Sequence, residues 1–434
     1  MNDKNDDITL RIALGFCQQF PEIIFCDDDK SFYIYENGFY RYLSELQLER
    51  MLLDKSTFTR KIPYAQLKTV IKRIATERMK YLEVFNPEGF INLNNGIYVL
   101  QSGNLIPHTI DYISTIKLGF DYSQDADCPL WVRTLNEIFE DDQNKVRTIQ
   151  EYFGYCLTRD VSQEKALIIT GEGGTGKSTV LNTLINLIGE SNCSFLSLRH
   201  FSNPQKSSVL KNKLVNICSE VPKRITDFEA EFRIIVTGES LQVSPKFIPD
   251  YTIKPYCKLV LALNEFPFID DKTNAFYRRL LIVEFNRVFK EDQQDKQLRN
   301  KLMAELPGIF NWAIKGLKSL QNRGFFVIDE YMKRHIDNIK ESNNPIVQFI
   351  NENIEFKLND YLVKQEVYAR YVVWSKENGY LPVGANKFGA EMYRTFLEYT
   401  PKDARNNNAY RDRIWKNLRF KKDKNSGIPL LWHD

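Results

Sequence analysis

The apolar positions change period several times along the chain. Phe32–Tyr42 (FYIYENGFYRY) holds two aromatic, strand-like runs around Asn37-Gly38, the pattern of a tight hairpin. Tyr64–Lys80 is basic and helix-prone, and Ile91–Thr109 (INLNNGIYVLQSGNLIPHT) reads strand–turn–strand with turns at Asn95-Gly96 and Ser102-Gly103. Trp131–Tyr155 predicts helix and leads into Ala166–Thr170 (ALIIT), a short, partly β-branched run of the kind that forms a buried parallel strand. Beyond it Val180, Leu181, Leu184, Ile185, Leu187 and Ile188 recur at helical spacing, with Gly189 as the stop. From about Gln163 to Arg334 such strands alternate with helical segments, which predicts a parallel α/β sheet. Leu214–Cys218 (LVNIC) and Leu259–Leu263 (LVLAL) are two further buried strands of it. Glu341–Pro345 (ESNNP) turns polar and predicts a linker, after which Ile346–Asp434 reads as helices followed by a strand pair.

Composition narrows the class. The 434 residues are 43% hydrophobic and 26% charged, ordinary for a soluble protein of two to four domains. No apolar run approaches a membrane span and the start, MNDKNDDITL, is not a signal peptide, so no membrane partner is expected. Seven scattered cysteines form no C-x-x-C and the four histidines lie far apart, so no zinc site is expected. An odd number of free thiols suits a reducing cytoplasm. A net charge of +3 means that nucleic-acid binding would have to come from local patches.

The chemistry concentrates after the ALIIT strand. Gly171-Glu172-Gly173-Gly174-Thr175-Gly176-Lys177-Ser178 fits G-x-x-x-x-G-K-[ST] in the strand–loop–helix setting that a phosphate cradle requires. Four glycines let backbone N–H groups converge on phosphates, and the following helix adds its positive N-terminus. Lys177 would reach the β- and γ-phosphates of ATP, Ser178 would ligate Mg²⁺, and the run from Gly171 through Thr179 would line the nucleotide.

Three further signals sit at strand ends. Glu220, just after LVNICS, suits the carboxylate beside magnesium that orders the attacking water, although a lone acid after a strand is more often a helix cap or a surface charge. Asn264 ends the LVLAL strand, where an amide senses a γ-phosphate or simply forms a turn. Arg278 and Arg279 precede the apolar run Leu280–Phe285, where an arginine can reach a neighbouring subunit's nucleotide. Weak one by one, the three are informative in this order within one short block.

In that order the block from Gly171 to Phe285 resembles a superfamily 3 helicase, the compact hexameric AAA+ type, in its phage/plasmid primase and poxvirus primase-helicase branch. Gly171–Ser178 matches the Walker A loop, Ile217-Cys218-Ser219-Glu220 Walker B, Leu263-Asn264 the sensor-1 motif and Arg278-Arg279 the arginine-finger site, with Arg279 as the choice for the finger. Thr237–Pro255 is similar to the family's pore hairpin, which makes Lys246 the pore lysine, with Phe247 beside it: a point charge for phosphates and a ring for bases. An ordinary surface hairpin is the alternative. NNGIYVLQSGNLIPHT and the DCPLW…EYFGYCL stretch look like the domain ahead of the motor, and PIVQFINENI, VYARYVVWSKENGY and NKFGAEMYRTFL like the helices of a C-terminal winged helix. About 160 residues ahead of the loop, without a pattern of catalytic acids, leave no room for the primase domain that many relatives carry.

The expected fold is therefore α/β: an α+β N-terminal module over 1–160, a P-loop AAA+ core with a parallel sheet over 161–340 and a winged-helix-like domain over 341–434. From Leu381 onward, eleven lysines and arginines stand against six acids, with Tyr410, Trp415 and Phe420 among them, which suits duplex binding or a protein-docking face. The resemblance implies a homo-hexameric ring using ATP and Mg²⁺ on single-stranded and forked DNA, with a primase or another replication protein as partner. An ATP-switched origin-binding initiator or loader is the second reading, and a small-molecule kinase, disfavoured by the paired arginines and basic tail, the third.

Overall fold

The computed structural model describes residues 2–54, 64–219, 224–225, 228–246, 248–264, 266, 268–269, 276–342, 344–396 and 414–421. The chain divides into two compact units, Met1–Met332 and Lys333–Asp434.

The first unit begins with α1 (Asn2–Gln19), β1 (Ile23–Cys26), β2 (Ser31–Glu36), β3 (Phe39–Leu43), α2 (Glu45–Leu53), α3 (Tyr64–Glu77) and β4 (Met79–Lys80), with the sheet in the order β3-β2-β1-β4. The hairpin at Asn37-Gly38 is a two-residue loop with Glu36 opposite Phe39. Both turn residues have positive φ (52° and 87°), the type I′ turn that asparagine–glycine favours. Ser44 and Gln47 form a reciprocal capping box that starts α2. Leu67, Val70, Ile71 and Ile74 form one face of α3 and close a core with Ala13, Phe16, Ile23, Phe32 and Ile34. A second small sheet follows, β5 (Phe90–Leu93), β6 (Gly96–Val99) and β7 (Leu105–Ile106). The single helix expected over Trp131–Tyr155 is two, α4 (Pro129–Phe139) and α5 (Gln143–Cys156). Glu140 and Asp141 break it in left-handed conformation, and Asp142 caps the second helix.

The central block runs β8 (Ala166–Thr170), α6 (Lys177–Ile188), β9 (Cys193–Ser194), α7 (Pro204–Ser207), β10 (Val215–Cys218), β11 (Arg224–Ile225), α8 (Glu229–Thr237), β12 (Leu241–Val243), β13 (Tyr251–Ile253), β14 (Lys258–Leu263), β15 (Phe268–Ile269) and β16 (Leu280–Glu284), and holds the central sheet. Its five strands run in the order β16-β8-β14-β10-β9, all parallel. Every residue of β8 and β10 is buried, which is why these strands read as unbroken apolar runs. Two short pairs, β11 with β15 and β12 with β13, stand apart from the sheet. Helices α9 (Leu298–Ala304), α10 (Leu306–Arg323) and α11 (Glu330–Ser342) follow. All seven cysteines are free and buried, and no group that could hold a metal ion occurs among the described residues. No helix among them is long and apolar enough to cross a membrane.

The second unit runs α12 (Pro345–Asn353), β17 (Ile354–Val363), α13 (Lys364–Glu377), α14 (Ala385–Thr395) and β18 (Ile414–Phe420), with β17 and β18 antiparallel. The three expected helices are present, but the strand pair does not follow them: β17 lies between the first and second. Ile354, Phe356 and Leu358 alternate with Glu355, Lys357 and Asn359, yet of the whole strand only Ile354 and Leu362 are buried. Around Tyr371 and Phe388, Phe349, Val367, Met392, Trp415 and Leu418 close this unit's core.

Candidate functional site

The phosphate loop leaves the carboxyl edge of the central sheet, because Thr170 pairs with Leu263 and with Glu284 on the two flanking strands. Gly171 has φ 145°, and a Cβ there would lie 2.3 Å from the Phe285 carbonyl oxygen. Gly176 has φ 93°, and its Cβ would meet Ile138 of α4 at 2.9 Å. The loop is thus wedged between the end of β16 and α4, and Phe289 N–H donates to the Gly174 carbonyl at 2.9 Å. Thr175 is buried and its hydroxyl donates to the Glu172 carbonyl at 2.8 Å. Gly176 caps α6 without a side-chain bond, leaving the helix's first N–H groups open to an anion. Lys177 Nζ donates to the carbonyls of Gly171 and, at 2.6 Å, of Glu172, and burial lowers its pKa. Ser178 is exposed and Thr179 half-buried in that first turn. These residues fit a polyphosphate: open N–H donors, a cation folded onto carbonyls it can release, and a hydroxyl for a magnesium ion.

Beside the loop at the same edge, Asn264 is exposed directly after β14. Cys218, which ends β10, is level with Leu261, so the carboxyl end of that strand faces the same edge. Glu220 and Phe247 lie outside the described residues. Several neighbours of the loop were not picked out from the sequence as site residues. Ile138 and Phe285 wall the loop, Lys145 Nζ donates to the Glu284 carbonyl at 2.8 Å, and the Glu284 carboxylate accepts from Tyr331. The outer face of α4, with Arg287, lines a cleft of about 740 Å³ in which Arg287 donates to the Glu137 carbonyl.

Arg278 and Arg279 occupy the opposite edge. They form the turn before β16, whose Leu280 is level with Ala166, the first residue of β8. Four residue steps along β8 separate that level from Thr170, about 13 Å. Arg278 is exposed; Arg279 is 4% exposed and bonds Glu164 at 3.1 Å. Burial is the main influence lowering the Arg279 pKa, with Arg278 next. Glu164 holds a left-handed φ of 48°, and Lys165 donates to the Arg278 carbonyl. The structure therefore does not bring the arginines to the phosphate loop of their own chain.

The hairpin is formed as its spacing suggests. Strands β12 and β13 pair antiparallel, Leu241 with Ile253 and Val243 with Tyr251, and Lys246 is exposed in the turn region between them. Its base leads to the start of β14 at the amino edge. In the second unit Trp415 is buried with Lys364 4.7 Å from its ring centre, and Arg370 lies 3.8 Å from that of Phe420, so these rings pack under their own cations. Tyr410 lies outside the described residues.

Three family models match in succession: one described as D5 N terminal like over residues 22–140, a family of unknown function (DUF5906) over 169–279, and one described as Poxvirus D5 protein-like over 341–425. A putative helicase, L207/L206, of Acanthamoeba polyphaga mimivirus is 23% identical over 235 residues, 51% of this chain and 24% of that protein. The chain thus spans about a quarter of that relative's length. Two apo structures of the NrS-1 C-terminal region share the fold at a TM-score of 0.51 and 15% and 14% identity, covering 85% and 79% of this chain and 80% of theirs. D5-type matches on either side of a phosphate-loop core, a helicase-named relative and this shared fold together support a superfamily 3 helicase family of the phage and poxvirus type.

Proposed function

We propose that this chain is one subunit of an ATP-driven replicative DNA helicase, a homo-hexameric ring that moves on single-stranded DNA at a fork. One observation carries the reading: the phosphate loop and the arginine pair lie on opposite edges of one parallel sheet. Each chain thus offers half a site at either edge, and head-to-tail contact between copies joins the halves; such contacts close into a ring where the rotation between copies closes. The backbone of Gly171–Thr179 and the end of α6 bind the phosphates of ATP, and Lys177 exchanges its loop carbonyls for them. Ser178 and Glu220 hold Mg²⁺, which supplies charge neutralisation at the phosphates. Glu220 and Asn264 orient the attacking water. The resemblance points to Arg279 as the finger, but Arg279 is buried against Glu164, so the exposed Arg278 takes that role, reaching the γ-phosphate from the neighbouring subunit while Arg279 sets the turn that presents it. Lys246 and Phe247 grip the strand, through phosphate charge and base stacking.

The three-part division at 1–160, 161–340 and 341–434 belongs to the same proposal. The order helix–strand–helix–helix–strand in the second unit supports a winged-helix-like domain for duplex DNA or a replication partner. Buried free thiols support a host-cytoplasmic setting.

Mixing tests the composite site. Lys177→Ala and Arg278→Ala are each inactive alone. In an equal mixture about one interface in four pairs an intact loop with intact arginines, so ATPase returns toward about a quarter of wild type. No recovery from co-assembled rings refutes a shared site. If the wild type hydrolyses ATP and binds DNA yet separates no forked strands, the initiator-or-loader reading replaces the motor.

A further inference from the structure

The hairpin that carries Lys246 is held at its base by residues far ahead of it in sequence. Asp29, in the turn between β1 and β2, is 1% exposed although it is a carboxylate. It accepts from Tyr33 at 2.7 Å and from the Ser31 N–H at 3.1 Å, and forms an ion pair with the half-buried Lys211. Lys211 Nζ also lies 3.2 Å from the Tyr33 hydroxyl and 6.0 Å from the ring centres of both Tyr33 and Tyr251. Tyr251 is the first residue of β13, the hairpin's return strand. Burial, with Asp29 next, pushes its pKa up to about 12.

A second clamp lies five residues on. Asn86, buried at φ 52°, donates to the Tyr256 hydroxyl at 3.0 Å and accepts from the Thr115 N–H and the Ser114 hydroxyl. Arg159 stacks on the Tyr256 ring at 4.7 Å and donates to the carbonyls of Phe85 and Asn86 at 2.8 Å. Tyr256 reaches Asn212, next to Lys211, at 3.4 Å. The outgoing strand is tied as well, Ser244 N–H donating to the Pro204 carbonyl at 3.1 Å.

We propose that the sheet β3-β2-β1-β4 and the loop after it form a fixed seat for the Lys246 hairpin, with Asp29 and Asn86 as positioning residues that act through Tyr251 and Tyr256. The inference rests on the reading of Lys246 as a DNA contact. A lysine that bears load from a moving strand is useful only if its base does not yield. A buried carboxylate that would lose its cation and a satisfied buried asparagine supply that stiffness, because leaving either without its partners is costly. The same clamps touch Lys211 and Asn212, which lead into β10, and Tyr256, which leads into β14. Force on the hairpin therefore enters the two strands that run to the nucleotide edge.

The test uses the full chain with Asp29→Asn, which keeps the shape and removes the charge, and separately Tyr256→Phe, which removes the Asn86 partner without touching the ion pair. Each is compared with Lys246→Ala. ATP hydrolysis without DNA is expected to stay within about twofold, and single-stranded DNA affinity to fall about three- to tenfold. Amide exchange is expected to quicken across residues 241–253 while β8 and β14 stay at wild-type rates. Wild-type hairpin exchange and wild-type DNA affinity in both variants, beside a weakened Lys246→Ala, overturn the seat. Exchange quickened throughout the sheet also overturns it, since the contacts are then general braces. If Lys246→Ala itself binds DNA normally, the DNA-contact reading fails instead, and the exchange pattern alone decides the seat.

Discussion

Replacing Arg278 by alanine separates a shared site from a self-contained one. The register of β16 on β8 sets the start of the strand about 13 Å of backbone from Thr170 and the phosphate loop. If the arginine acted on its own chain's nucleotide from that distance, its Coulomb energy would be about 0.3 kcal/mol in water and about 1.3 kcal/mol at an effective dielectric of 20. Salt weakens both, since the screening length is about 8–10 Å. The rate would then fall by less than about tenfold. In contact with a neighbour's γ-phosphate the same side chain contributes about 10³- to 10⁵-fold. Arg278 is exposed, so its loss leaves stability within about 0.5 kcal/mol. The assay is steady-state ATP hydrolysis with Mg²⁺ and saturating DNA, on protein whose ring assembly and melting temperature match wild type. A loss beyond about 100-fold supports contact across a subunit boundary. A loss under tenfold in assembled rings, for Arg278→Ala and Arg279→Ala alike, refutes the trans assignment.

The phosphate loop makes a paired prediction about stability. Gly171→Ala should cost about 2–4 kcal/mol in denaturant unfolding, because its Cβ would sit 2.3 Å from the Phe285 carbonyl oxygen at a φ of 145°. Gly173→Ala, with nothing within 4 Å of its Cβ, should unfold like wild type; equal midpoints would show that β16 does not wall the loop. Lys246→Ala should leave DNA-independent ATP hydrolysis intact and lower the slope of log affinity against log salt by about 1; an unchanged slope removes Lys246 from the phosphate path. Lys258 is fully buried over the Tyr155 ring, and burial lowers its pKa from 10.5 to about 8. The folded chain sheds this proton near pH 8 while the unfolded chain keeps it to about 10.5, so stability should rise across that window relative to Lys258→Met. The gain is up to about 3 kcal/mol by denaturant titration, and parallel stability curves for the two proteins would refute it.

The strands and the loop were legible because their physics is local. ALIIT, LVNIC and LVLAL are buried on both faces, so hydrophobicity alone marks them, and Asn37-Gly38 announces a turn that few other dipeptides adopt as readily. The break at Glu140-Asp141 was not legible: neither residue ends a helix by propensity, and their left-handed backbone answers to the capping of α5 by Asp142. Strand β17 escaped for a related reason. Its residues 355–361 are polar or exposed, and what fixes it is pairing with β18, more than fifty residues on. At the candidate site, sequence supplied Lys177 and Asn264 through their strand ends. It gave no hint of Ile138, Glu164 or Asp29, which matter only through neighbours brought close by the fold.

A site split between two edges acts as one machine when the sheet between them is stiff. In the proposed ring, one chain's β16 begins at a neighbour's nucleotide, through Arg278, and ends against its own, where Phe285 walls Gly171. Strand β14 begins at the clamped base of the hairpin and ends at Asn264. These strands lie on either side of β8 in one hydrogen-bonded parallel sheet, and a close-packed interior of this kind resists internal compression. A change at either edge therefore moves the sheet as a body more readily than it bends it, with Arg278 and the hairpin base carried together. No flexible relay is needed, and the seat at Asp29 and Asn86 is the place where hairpin motion would be lost first. A variant loosened there should hydrolyse ATP yet unwind less DNA per ATP, whereas a loop variant such as Lys177→Ala should lose both in proportion. If Asp29→Asn lowers hydrolysis and unwinding by the same factor, the rigid-sheet account fails and the seat serves assembly instead.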